Sequence, residues 1–381
     1  MSSRERVCAS LEGRPVDRFP VTSLYHQLYR MDHFSELTGL PGWRMHEWLC
    51  ASPEGYLELF EGMQGKTPFE LLQPHEAPDR ETRDALEFLE RDGHGWRRDK
   101  RTGDLEPVGE ATVSGHATDY QANETQYVFS EEDVQSRVKV TRAEEMIARG
   151  RNDYARAVVE RYGDDQFIIT GGVVGTFYQC HQHVGLMNLM MVALEQPGLV
   201  EYLSQTVLEQ NIETIRCLAA AGGDAIYIDD AMTTNDLISV GMFERLSLPY
   251  MREMVAEIHS LGLKAILIYF GGVADRLEQI ASLGADALCV EASMKGYVND
   301  IGEIAESIGE RITLLGNLDP VGVLEQAGDQ ALERAVLQQV AAGRKARGFI
   351  VSTASPITPG TPLSRVRRFL DLARQHGVGE R

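Results

Sequence analysis

The stretch Asp224–Glu291 reads DAIYIDDAMTTNDLISVGMFERLSLPYMREMVAEIHSLGLKAILIYFGGVADRLEQIASLGADALCVE, and it decides the fold. Its opening apolar run is short and ends in the paired acids Asp229 and Asp230. An amphipathic segment follows, with Phe243, Leu246, Tyr250, Met254 and Ile258 at roughly helical spacing. Gly262 marks a turn, KAILIY is a second buried strand, and Gly271 and Gly272 end it. A further helix, ADRLEQIASLG, leads into the apolar run DALCV, which stops at Glu291. Strand, polar loop, helix, short turn and strand again is the repeat of a parallel sheet covered by helices. Polar residues collect just past each strand, where an α/β barrel places its chemistry.

Outward from this stretch the same period continues. Upstream, QFIITGGVVGTF is a buried strand, followed by YQCHQHVG, the densest cluster of metal-capable side chains in the chain. Downstream, RITLLGNLDP gives a strand ending near Asn317, and GFIVSTASPITPGTP gives the last one. Five or six strands fall between residues 167 and 352. One over residues 19–23 and one other complete eight, so the pattern predicts an α/β (β/α)8 barrel of TIM type. Residues 142–161 read as one helix. Between residues 75 and 135 the chain is polar, Gly-rich and weakly alternating, which predicts a hairpin-rich insertion within a single barrel spanning 1–381.

A net charge of −20 over 381 residues argues against nucleic acid or an anionic membrane as a partner. No apolar run approaches the roughly 20 residues that span a bilayer. The opening MSSRERVCASLEGRPVDR lacks the apolar core of a signal peptide. The five cysteines, Cys8, Cys50, Cys180, Cys217 and Cys289, are scattered and form no CxxC. A reducing cytoplasm is the expected location.

Several segments together carry a family resemblance: EGRPVDRFPV, GDAIYIDD followed by LISVGMFERLSLPYMREMV, GADALCVEAS, GNLDPVGVL and PITPGTPLSRVRRFL. In order and spacing they resemble the uroporphyrinogen decarboxylase superfamily. The resemblance implies a distorted (β/α)8 barrel, a site at the strand C-termini and a homodimer through one barrel face. It also implies two chemistries. The tetrapyrrole decarboxylases use an N-terminal R-Q-A-G-R motif and a C-terminal histidine. Here TSLYHQLYR leaves only Arg30 of the arginines, and STASPIT has no histidine. The corrinoid-linked methyltransferases hold zinc with H-x-C-G and a late cysteine. Here those positions are Ile268-Tyr269-Phe270-Gly271 and about Ser355, so the usual zinc ligands are absent.

Side chains alternate along a strand, so one of Asp229 and Asp230 points into the barrel and the other away from it. The inward acid is a candidate general acid or base, and the alternative role for either is a helix cap or a partner for arginine. Glu291 shares a strand face with Cys289, and the pair reads either as catalytic or as a core thiol with a salt-bridged acid. Tyr269 and Phe270, in place of zinc ligands, are expected to form an apolar pocket wall, with Tyr269 orienting the substrate. His181 and His183 share a face if the chain is extended there, and with Tyr178 they are candidate ligand contacts; a metal on them needs further ligands. Tyr25, His26 and Arg30 sit where the family binds anions, Arg30 being either a carboxylate anchor or a surface salt bridge. Asn317 and Ser355 complete the substrate-binding set. No residue is assigned to a metal. Met187, Met190 and Met191 are expected to fill core.

The reading that follows is a methyltransferase or demethylase acting on a small molecule, with a corrinoid on a separate partner protein. The poverty of N-terminal arginines favours it over a substrate with many carboxylates. A decarboxylase or related lyase acting on a small carboxylate is the first alternative, and a non-catalytic binding barrel is the second.

Overall fold

The computed structural model describes residues 1–109, 127–293, 296–354 and 356–378. Among these residues eleven strands form two sheets. Eight are parallel: β1 (Val21–Thr22), β2 (Leu71–Leu72), β6 (Phe167–Val174), β7 (Ala225–Asp230), β8 (Lys264–Tyr269), β9 (Ala287–Val290), β10 (Thr313–Leu315) and β11 (Phe349–Ser352). Their order is β1-β11-β10-β9-β8-β7-β6-β2. Three more, β3 (Leu86–Arg91), β4 (His94–Asp99) and β5 (Leu105–Val108), make a separate antiparallel sheet between β2 and β6. The parallel strands are apolar almost throughout because both of their faces are covered.

Alternation sorts their side chains into two layers. Leu71, Phe167, Ile169, Ala225, Ile266, Ile268, Ala287, Cys289, Leu315 and Ile350 pack together inside the barrel. Val7 and Leu11 of the helix Ser3–Leu11 join this cluster and plug its floor. Ile168, Ile226, Ile228, Leu267, Leu288, Leu314 and Val351 face the other way, into the core shared with the helices.

The seam lies between β1 and β2, and a carboxylate helps to close it. Glu70 N donates to Val21 O at 3.1 Å, and Val21 N donates to Glu70 Oε2 at 2.9 Å. Glu70 is buried and also takes Arg6 Nη1 at 2.5 Å and Arg18 Nη1 at 2.7 Å. Arg6 holds Asp17 in turn, at 2.7 Å. The sequence EGRPVDRFPV thus serves the barrel floor through Asp17 and Arg18.

One expectation needs revision. Residues 142–161 form two helices, Ala143–Ala148 and Asp153–Tyr162, because Gly150 takes a left-handed φ of 82° between them. The eighth strand is Leu71–Leu72, whose two residues are too few to leave a period in the sequence.

Candidate active site

The strands deliver their last inward residues to one end of the barrel. On β7 the inward set is Ala225, Tyr227 and Asp229; β8 continues past Ile268 to Phe270, and β9 past Cys289 to Glu291. Tyr25 arrives from the β1 loop. Its φ of 57° is a left-handed backbone that a tyrosine adopts at a cost of about 1–3 kcal/mol, so the surroundings must fix it. They do so from both ends: Tyr25 N donates to Gln73 Oε1 at 2.7 Å, and Tyr25 Oη donates to Asp229 Oδ2 at 2.8 Å. The Tyr25 ring meets Tyr227 edge-on at 5.5 Å and Phe270 at 5.9 Å. A carboxyl group at the top of an aromatic-walled lumen results.

Asp229 Oδ1 is buried without a partner. Burial raises the acid to about 7; the Tyr25 hydrogen bond opposes the rise, and Asp230 adds to it. Near neutrality this group gives or takes a proton readily. Cys289 lies close enough to feel both Asp229 and Glu291, and burial first, then these acids, pushes its thiol up to about 12. It stays protonated and is no nucleophile at neutral pH.

Asp230 points away from the lumen. Its Oδ1 accepts from Met232 N and Thr233 N, both at 2.9 Å, which folds the loop after β7. A Cβ added at Gly175 would lie 2.6 Å from its Oδ2, so glycine is required there. Burial raises Asp230 to about 6, against its two backbone hydrogen bonds. The fully buried Arg276 pins the same loop through Thr233 O at 2.5 Å and Ile238 O at 2.8 Å. Of the two acids, Asp229 is the one that faces the lumen.

Glu291 is buried and accepts a short hydrogen bond from the Tyr297 hydroxyl. Its carbonyl oxygen accepts from Asn299 Nδ2 at 2.9 Å and from Asn317 Nδ2 at 3.5 Å. Asn317 also donates to Asn299 O at 2.8 Å, so one face of its amide braces the β9 loop.

Other expected site residues lie elsewhere. Tyr269 is fully buried on the helix side of β8, with its hydroxyl 3.3 Å from Met251 Sδ and its ring edge-on to Phe243. Strand alternation puts Ile268 and Phe270 inside, which turns Tyr269 away. His26 and Arg30 are buried in the helix layer. His26 stacks on Phe69 and bonds Ser23 O at 3.1 Å; burial holds its pKa well below the usual range. Arg30 donates to Thr67 Oγ1 and Thr67 O, both at 3.1 Å, and to Gln64, and sits over Phe60. Burial lowers it to about 9. At 1% exposure it is neither a surface salt bridge nor an anchor at the lumen.

His181 and His183 belong to the helix Thr176–Val184, where positions two apart point in widely different directions. His181 Nδ1 bonds Tyr178 O at 2.5 Å, with the two rings stacked, and His183 pairs by its carbonyl with Val128 N. Ser355 lies outside the described residues. Gln73, Tyr227, Tyr297 and Asn299 are the site residues the sequence did not announce. Only Tyr227, two positions before Asp229, carried a signal, the strand period itself.

Zinc of the family type does not fit this barrel. Ile268 and Phe270 present hydrocarbon where imidazole and thiolate would be needed, and Tyr269 faces the helices. Among the described residues no three His, Cys, Asp or Glu side chains converge as metal ligands.

Parallel strands with crossover helices and acids at their C-terminal ends define a (β/α)8 barrel of the enzymatic type. Residues 112–376 match the family model for uroporphyrinogen decarboxylase, and the chain belongs to that family. It is 26% identical over 189 residues to uroporphyrinogen decarboxylase of Coxiella burnetii, covering 48% of this chain and 49% of that protein. It is 24% identical over 221 residues to a methylcobamide:CoM methyltransferase of Methanosarcina mazei, covering 57% and 60%. These alignments span 49% and 60% of the relatives' lengths. The fold matches the structure of a methyltransferase from Methanosarcina mazei at a TM-score of 0.71 and 20% identity, over 98% of this chain and 99% of the other.

Proposed function

We propose that this chain is a methyltransferase that demethylates a small molecule and passes the methyl group to a corrinoid on a separate protein. The observation that carries this reading is Asp229, a carboxyl group raised to about 7 with a free buried oxygen, held by Tyr25 between aromatic walls. The corrinoid supplies the nucleophile that takes the methyl group. This chain has to bind the methyl donor, exclude water, and protonate the atom that the methyl group leaves. When the bond from carbon to the heteroatom breaks, its electron pair stays on the heteroatom, and Asp229 supplies the proton that neutralises it. Tyr25 then steadies the carboxylate through the hydrogen bond it already makes. Tyr227 and Phe270 shape the apolar wall, and Glu291 with Tyr297 forms a second polar contact for the substrate.

Arg30 is turned into the helix layer, so it offers nothing to a substrate rich in carboxylates, which weighs against tetrapyrrole decarboxylation. The methylcobamide relative and the methyltransferase fold match support methyl transfer. A cytoplasmic homodimer is part of the proposal on family resemblance; among the described residues no helix is long and apolar enough to cross a membrane. A decarboxylase acting on a small carboxylate is the competing reading, because a protonated Asp229 could equally deliver a proton to a carbanion.

Free cob(I)alamin as acceptor, offered with panels of methoxyarenes and methylated amines, tests the proposal by its absorbance change. Methylation that falls roughly 100-fold or more in Asp229→Asn supports it. Release of CO2 from a small carboxylate, with no cobalamin methylated by any donor, would replace it with the decarboxylase reading.

A further inference from the structure

Tyr25 ties Asp229 to a second polar group whose hydrogen bonding is incomplete, the amide of Gln73. Leu71 on β2 packs inside the barrel and Leu72 faces the helices, so the next residue, Gln73, returns to the inside. It is 2% exposed. Its Oε1 accepts from Tyr25 N at 2.7 Å, which settles which way round the amide lies. Turning it over would set an NH2 against an N–H, donor to donor, at the residue whose φ of 57° has to be held in place. Nε2 is thereby fixed on the other side of the amide, buried and with no hydrogen-bond partner among the described residues. An unmet buried donor is destabilising, and a ligand that brings an acceptor removes the penalty. The neighbouring strand brings none. β6 lies between β2 and β7 and turns Gly172 toward the lumen, where an added Cβ would lie 2.2 Å from the Tyr227 ring.

Tyr25 thus holds an amide that lacks an acceptor at its backbone end and an acid at its hydroxyl end. At this end of β2, β6, β7, β8 and β9 the inward residues include no Lys or Arg. A carboxylate entering here would meet Asp229 and Glu291 with no cation to offset its desolvation, so the acceptor that suits Gln73 is a neutral oxygen, an ether or a carbonyl. We infer that Gln73 determines specificity by donating from Nε2 to a neutral oxygen of the methyl donor, remote from the atom that Asp229 protonates. What happens at Asp229 rests on the methyl-transfer reading, whereas the Gln73 bond is a binding contact and needs no turnover. The substrate class is a small uncharged molecule with two heteroatoms, one bearing the methyl group and one facing Gln73. The rings of Tyr25, Tyr227 and Phe270 suit an arene between them. A methyl aryl ether with a second oxygen on its ring has this form.

The probes are the isomers of dimethoxybenzene, the ethylanisoles that replace one ether oxygen with CH2, and the methoxybenzoates. The proteins are wild type, Gln73→Glu and Gln73→Met. Gln73→Glu keeps an oxygen for Tyr25 N and removes the donor, and Gln73→Met removes both. Calorimetric titration without cobalamin measures binding, and circular dichroism checks each fold. Wild type should bind a dimethoxybenzene roughly tenfold or more tightly than the matching ethylanisole, and both variants should lose that preference. A general loosening of the lumen would weaken both ligands together and leave their ratio intact. An intact ratio in either folded variant therefore overturns the inference and leaves Gln73 as no more than a brace for Tyr25. So does equal binding of the two ligands by wild type, a wild-type preference for methoxybenzoate, or binding of no probe at millimolar concentration. If the preference is present and lost in Gln73→Glu while no donor methylates free cob(I)alamin, the Gln73 contact stands and methyl transfer falls.

Discussion

Asp229→Asn should make the protein more stable in alkali while abolishing its chemistry. A carboxyl moved from its ordinary value of 3.8 to about 7 holds its proton roughly a thousandfold more tightly in the folded chain, a ceiling of about 4 kcal/mol. Between those two values the folded chain binds more protons than the unfolded one. Stability therefore falls as pH rises through that window and stays reduced above it. About two thirds of the loss lies between pH 5 and pH 8.5, and water at the half-buried mouth reduces it to about 1–2 kcal/mol. Asparagine cannot ionise, and its amide oxygen can still accept from Tyr25. Urea unfolding of both proteins at about pH 5 and about pH 8.5 measures the effect, because a shift of this size moves Tm by only a few degrees in a chain this long. The variant should gain on wild type by about 1–2 kcal/mol between the two conditions. Parallel behaviour at both would mean that Asp229 titrates as an ordinary surface acid, and its role as a neutral-pH proton donor would be refuted.

Tyr25→Phe removes the one hydrogen bond that favours ionised Asp229, so the basic limb of the pH–rate profile should move upward; an unmoved limb removes Tyr25 from the proton-transfer pair. Glu70→Gln leaves Arg6 and Arg18 without their shared buried charge and should cost about 3–5 kcal/mol by chemical denaturation, with little change in kcat for surviving folded enzyme. Tyr269→Phe loses only a hydroxyl against a methionine sulfur, and kcat/KM should stay within about threefold of wild type. Arg30→Met should leave KM for the methyl donor unchanged while altering stability; a KM raised tenfold would put the guanidinium back in the site.

The barrel was legible because strands covered on both faces leave apolar runs, and because β7, β8 and β9 carry them at regular spacing with turns between. That one of Asp229 and Asp230 points inward followed from the same alternation. Which one does so was decided by the register of β7, and no residue type announces that. Tyr269 shows the limit from the other side: the family alignment marked the position, but the strand period, applied to Ile268 and Phe270, would have turned it away. His181 and His183 were paired on the assumption of extended chain, and a helix begins at Thr176 instead. Arg30 looked like an anion anchor from its place after the first strand. Its burial against Phe60 and Thr67 depends on a helix distant in sequence, which local pattern does not reach. Of the methionines expected to fill core, Met190 packs against it whereas Met187 and Met191 are exposed, and residue type alone does not separate them.

The pairing of the first parallel strand with the last bears on how the molecule is made. β1 pairs with β11, and Ser23 Oγ meets Thr353 Oγ1 at 2.7 Å across 330 positions of chain. A ribosome releases β1 early and must synthesise nearly everything else before its neighbour exists. Until then β2 and β6 to β10 can assemble only as an open sheet, with the β10 margin unpaired. The pairing of β1 with β11 is therefore a late event in biogenesis, although every member of the Glu70 staple is made within the first 70 residues. The nascent chain is most exposed to aggregation, and most dependent on chaperones, during the interval before Val351 arrives to meet Val21.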